Sequence, residues 1–88
     1  MKIASVTGSV VATRKDQSLV GCKLMIVRSV GSDGIVSGAE MVAVDYVGAG
    51  IGETVLLAQG SAVRTNELKR DCVIDLAIVG IIDTMNKS

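Results

Sequence analysis

The stretch Val44-Asp45-Tyr46-Val47-Gly48-Ala49-Gly50-Ile51-Gly52-Glu53-Thr54-Val55-Leu56-Leu57 decides the architecture. An apolar strand enters it, glycines at positions 48, 50 and 52 bend it, and a second apolar strand leaves. Glycines at alternate positions mark a tightly specified loop, where φ turns positive or another backbone comes very close. A phosphate cradle would need such a strand and Gly-x-Gly followed by a helix whose N-terminus faces the pyrophosphate. Here Thr54-Val55-Leu56-Leu57-Ala58-Gln59 is short, carries β-branched residues and runs into Gly60-Ser61, so no such helix fits. The stretch reads instead as strand, close-approach loop, strand, at a barrel corner or against a neighbouring subunit.

Upstream of the loop, Glu40 to Tyr46 is a short strand, and Cys22 to Val30 is another, with Leu24 and Ile26 as its core face and Met25 and Val27 opposite. Gly31-Ser32-Asp33-Gly34 carries turn chemistry, and Ser37-Gly38 repeats the signal. From Lys2 to Thr13 the pattern has period two. Ala4, Val6, Val10 and Ala12 share one face, and Ser5, Thr7, Ser9 and Thr13 the other. Gly8 in the middle of that strand predicts a bulge or a sharp coil. Arg14-Lys15-Asp16-Gln17 then reads as a polar loop.

Downstream, Thr54 to Gln59 is the fourth strand, and Ser61 is placed to cap one helical turn over Ala62-Val63-Arg64, ended by Asn66. Glu67 to Asp71 is charged and reads as exposed. Val73 to Ile82 is the last strand. Ile74, Leu76, Ile78 and Ile82 lie on one face, and Ala77, Val79 and Ile81 on the other. A strand apolar on both faces is buried on both. In so short a chain, the second face is expected to meet another subunit. Five strands, one helical turn and no proline predict an all-β fold, a small five-stranded OB-like barrel in a single domain over residues 1–88.

Composition narrows the function. A chain of 88 residues buries only about 60–65% of its unfolded surface. Yet 49% of its residues are hydrophobic and its mean hydropathy is +0.53, which points to apolar surface buried between subunits. Lys and Arg equal Asp and Glu at nine each, and Tyr46 is the sole aromatic residue. A nucleic-acid binder would show a basic stripe and stacking platforms, so nucleic acid is not expected as a partner.

The chain has no histidine, the commonest general base and metal ligand. Cys22 and Cys72 show no Cys-x-x-Cys spacing and read as small core residues of a reducing compartment. No carboxylate pair is spaced as one catalytic site. No enzyme, cofactor or metal is therefore expected. The N-terminal Lys2-Ile3-Ala4-Ser5-Val6-Thr7 is too polar for a signal-peptide core, and no run approaches the ~20 apolar residues of a membrane span. A cytoplasmic protein without a membrane partner is expected.

Ala43 to Glu53, followed by Val55-Leu56-Leu57 and then Gly60-Ser61-Ala62-Val63-Arg64, resembles the EutN/CcmL family, the vertex proteins of bacterial microcompartments and carboxysomes. Val6-Thr7-Gly8, Val10, Leu19, Gly21, Lys23-Leu24 and Val27 extend the likeness over nearly the whole chain. Thr54 and Val63 depart from the family's usual residues, bulky at the first and small at the second. The resemblance implies an OB-like barrel that forms homopentamers, caps the five-fold vertices of a polyhedral shell and meets hexameric shell proteins there. Hexagonal tiles pave a flat sheet, and closing that sheet requires five-fold corners.

On that resemblance, Asp45, Gly48, Ala49, Gly50, Gly52, Glu53, Gly60, Ser61 and Arg64 are candidates for the subunit interface or the loop at the five-fold axis. Glu53 and Arg64 are candidates for a charge-assisted pair, and Asp45 for an acceptor of the loop's N–H groups. The alternative reading is a monomeric OB-type module binding a small ligand or an oligosaccharide.

Overall fold

Period-two patterning and β-branched residues produce strands along most of the chain. The computed structural model describes residues 2–11, 17, 21–60 and 75–83. Its strands are β1 (Lys2–Val10), β2 (Leu24–Val30), β3 (Val36–Asp45), β4 (Thr54–Gln59) and β5 (Leu76–Ile81). They close into a barrel in the order β1-β2-β3-β5-β4, with β4 returning to β1. Every pairing is antiparallel except β3 with β5. This is the five-stranded OB topology that the sequence predicts.

The barrel interior takes alternate residues from each strand. Ala4 and Val6, Met25 and Val27, Ala43, Val55 and Leu57, and Leu76 and Ile78 form one buried cluster. A second apolar row lies on the outer face. Leu24 pairs with Val44, Val44 with Ala77, and Ala77 with Ala58, so the row crosses four strands at one level. Tyr46 packs against both halves of that row. One aromatic side chain thus helps to bury the outside of a barrel that is apolar on both faces there.

Gly8 does mark a bulge, with a register shift between Val6 and Gly8, and the Ile26 side chain lies over the glycine. Three expectations need correction. The core face of β2 carries Met25 and Val27, not Leu24 and Ile26. Leu24 is buried in the outer row, and Ile26 is only partly covered. Because β2 is apolar on both faces, its sequence has no period to choose between them.

The third strand begins at Val36, not at Glu40, and runs through Ser37-Gly38. Those residues form an irregularity opposite Arg28 rather than a turn, and Arg28 donates from Nε to the Gly38 carbonyl at 2.9 Å. The first, second and last strands are each shorter than expected. The helical turn at Ser61–Arg64, the charged run 67–71, Cys72 and Ile74 all lie outside the described residues.

Candidate functional site

The glycine loop closes one end of the barrel, and Asp45 organises it. This residue ends β3, with its own N–H donating to the Lys23 carbonyl at 2.8 Å. Its carboxylate then serves the loop that follows. Oδ1 accepts the N–H groups of Val47 and Gly48 at 3.0 Å each, and Oδ2 accepts that of Ala49 at 2.8 Å. Lys23 Nζ stands 3.3 Å from Oδ2 and donates to the Ala49 carbonyl at 3.2 Å. The Asp45 side chain is 0% exposed and that of Lys23 is 54% exposed. A carboxylate can be buried at this cost only when its lone pairs are filled, and here three dipoles and one cation fill them.

Gly48 has φ +77°, a conformation that side-chain-bearing residues avoid. The turn there sends the Ala49 methyl group into the barrel core, where it is 0% exposed. Gly50 and Glu53 bond reciprocally. The Glu53 carboxylate accepts the Gly50 N–H at 2.6 Å, and the Glu53 N–H donates to the Gly50 carbonyl at 3.1 Å. The loop is finally stitched to β1 at its bulge, because Gly52 N donates to the Val6 carbonyl at 2.8 Å and Val6 N to the Glu53 carbonyl at 2.9 Å. A loop held at both ends and in the middle is a rigid surface, not a linker.

The candidate residues fall into three groups. Asp45, Gly48, Ala49, Gly50, Gly52 and Glu53 come together in this loop, and Asp45 accepts its N–H groups as its position predicts. Gly60 stands at the opposite end of β4, its N–H donating to the Asp75 carbonyl at 2.9 Å. Ser61 and Arg64 lie outside the described residues, so Glu53 is seen only with Gly50 as its carboxylate partner.

Gly50 corrects one expectation, since it lacks positive φ; a Cβ there would stand 3.3 Å from Glu53 Oε1. Lys23 is the member that sequence reasoning passed over as a site residue. It precedes β2 and meets Asp45 only through strand pairing, so no local pattern could have found it. Among the described residues, no group of three His, Cys, Asp or Glu could hold a metal ion, and no helix is long and apolar enough to cross a membrane.

Fold and loop together define a class: a small closed barrel of OB topology whose best-built feature is a clamped, apolar-tipped loop. Residues 1–83 match the family model described as "Ethanolamine utilisation protein EutN/carboxysome", and the chain belongs to this EutN/CcmL family. It is 49% identical to the bacterial microcompartment shell vertex protein PduN of Salmonella typhimurium, over 98% of this chain and 99% of that one. It is 44% identical to the carboxysome shell vertex protein CcmL of Synechocystis, over 98% of this chain and 86% of that one. The solved structure of GrpN, a pentameric microcompartment shell protein from Rhodospirillum rubrum, superposes with a TM-score of 0.88. It is 42% identical, with 100% of both chains covered.

Proposed function

We propose that this chain is a non-enzymatic structural protein whose homopentamers cap the five-fold vertices of a bacterial microcompartment shell. The observation that carries the reading is end-to-end similarity to the pentameric shell protein GrpN, in fold as well as sequence. The physical argument runs in parallel. The barrel has filled its own interior, yet Ile51, Val47, Val79 and Val42 remain exposed. Apolar surface left over from a complete core favours burial against further copies. The alternative of a monomeric ligand-binding module finds no support in the relatives named above, which are shell proteins.

Several finer points belong to the same proposal. The protein works in the cytoplasm as part of the shell, beside hexameric shell proteins, without nucleic acid or membrane as partner. Its loop, from Asp45 through Gly48, Ala49, Gly50, Gly52 and Glu53, together with Gly60, Ser61 and Arg64, serves the subunit interface or the five-fold axis. Ala49 acts from inside its own barrel, so the loop's contacts fall to Val47, Gly48, Ile51 and Gly52, which are exposed. Native mass spectrometry of the purified chain is expected to give a closed homopentamer. A predominantly monomeric protein at micromolar concentration would overturn the reading.

A further inference from the structure

The apolar surface left on the described residues collects at two ends of the barrel. β3 spans about 30 Å from Val36 to Asp45, at ~3.3 Å per residue, with the β2–β3 hairpin at its start and the glycine loop at its end. β5 runs parallel to β3, with Val44 opposite Ala77 and Asp45 opposite Ile78. Val79 and Ile81 therefore continue past β3 at the loop end. There they accompany the loop's own exposed residues, Val47 and Ile51, the latter 65% exposed. At the hairpin end Ile35 is 62% exposed, with Val36 and Val42 also open to solvent. Between the two ends the outer face is already closed, since Val44 and Ala77 are buried within the chain.

Single exposed aliphatic side chains need no explanation, but two groups at opposite ends of one sheet do. A surface that paired with its own copy would be isologous and would stop at two subunits. Closure after five steps requires two different surfaces on each subunit, joined head to tail. Resting on the pentamer reading above, we propose that the loop end of one subunit packs on the hairpin end of the next.

The occupant of each end is a second copy of this chain. Both ends are stiff before they meet. The loop hangs on the Asp45 carboxylate, and the hairpin is braced by Arg28 on Gly38 and by the Ile35 N–H donating to Asp33 Oδ1 at 3.0 Å. Surfaces ordered in advance lose less entropy when they dock.

Cross-linking tests the pairing. In a Cys22→Ala, Cys72→Ala background, chains carrying Val42→Cys, Ile51→Cys or both are assembled and treated with a short bis-maleimide. The double variant is expected to give a covalent ladder ending at the pentamer, and each single variant only monomer. Single variants that cross-link to dimers, or a double variant that stays monomeric while native mass spectrometry finds pentamers, would overturn the pairing and leave the pentamer standing. A parent chain that forms no pentamer would instead overturn the underlying reading.

Should the cysteine-free background fail to assemble, Val42→Lys and Val79→Lys in the native chain carry the test. Each is expected to keep a β-rich circular dichroism spectrum and to elute as monomer. Unchanged pentamers from both would sink the proposal.

Discussion

Two turns of this barrel use the same sequence vocabulary, an aspartate followed by glycine, and put it to different ends. In the β2–β3 hairpin, Asp33 accepts one N–H, that of Ile35, and every residue from Gly31 to Glu40 is exposed. In the glycine loop, Asp45 accepts three N–H groups, meets a lysine and is itself buried. What separates them is the residue each turn must place. The hairpin delivers nothing to the core, whereas the loop delivers Ala49 into it. Local turn chemistry says that the chain reverses. Only the packing beneath decides whether the turn is a solvated bend or a structural clamp.

The largest expected effect is at the clamp. Asp45→Ala removes the acceptor of three N–H groups and leaves Lys23 without its carboxylate. Hydrogen bonds to charged groups contribute about 1.5–3 kcal/mol each, and partial rehydration of an end loop recovers some of that. The expected loss is therefore about 3 kcal/mol, read by urea unfolding at a fixed protomer concentration. Asp45→Asn, which keeps one acceptor oxygen, should fall between Ala and the parent. A loss below about 1 kcal/mol for Asp45→Ala would mean that the loop holds its shape through the Val6 stitches alone.

Glycine substitutions sharpen the comparison within the loop itself. Gly48 has φ +77° and no heavy atom within 4 Å of a built Cβ, so Gly48→Ala meets backbone strain and no clash. That strain is about 1–2 kcal/mol. Gly50 has no positive φ, and its Cβ would meet only the end of the Glu53 side chain, at 3.3 Å. Gly50→Ala is therefore expected to cost under about 1 kcal/mol, since a flexible carboxylate can give way. Urea midpoints in which Gly50→Ala is the worse of the two would place the close approach at Gly50 after all.

This pair also marks how far the sequence reaches. Alternation along Lys2–Val10, the bulge at Gly8 and the apolar run of β4 are local patterns, and the strands followed from them. So did the barrel and the loop's importance. Which of three glycines bears positive φ depends on where Ala49 must point, and that is a tertiary matter. The core face of β2 was hidden for a related reason: Leu24 and Met25 are both buried, one outside the barrel and one inside. Lys23 was invisible as a clamp residue because strand pairing, not spacing, brings it to Asp45. Ser37-Gly38 carried a real signal of positive φ, at Gly38, but the ladder with β2 absorbs it as an irregularity within a strand.

The smallest expected effect returns to the hairpin. Asp33 Oδ1 lies 3.0 Å from the Ile35 N–H, in a turn already closed by two backbone bonds, Gly31 N to the Ile35 carbonyl at 3.0 Å and Gly34 N to the Gly31 carbonyl at 2.9 Å. When the side chain is removed, the freed N–H faces water, which replaces the lost acceptor. Asp33→Ala is therefore expected to cost about 0.5 kcal/mol, the low end for an intramolecular hydrogen bond, and Asp33→Asn still less. Measured beside Asp45→Ala under the same urea conditions, the two aspartates should differ several-fold although both head a glycine turn. If Asp33→Ala destabilises the chain as much as Asp45→Ala, the hairpin is no mere solvated bend. Its side-chain bond would then be holding the hairpin end in the shape that the next subunit needs.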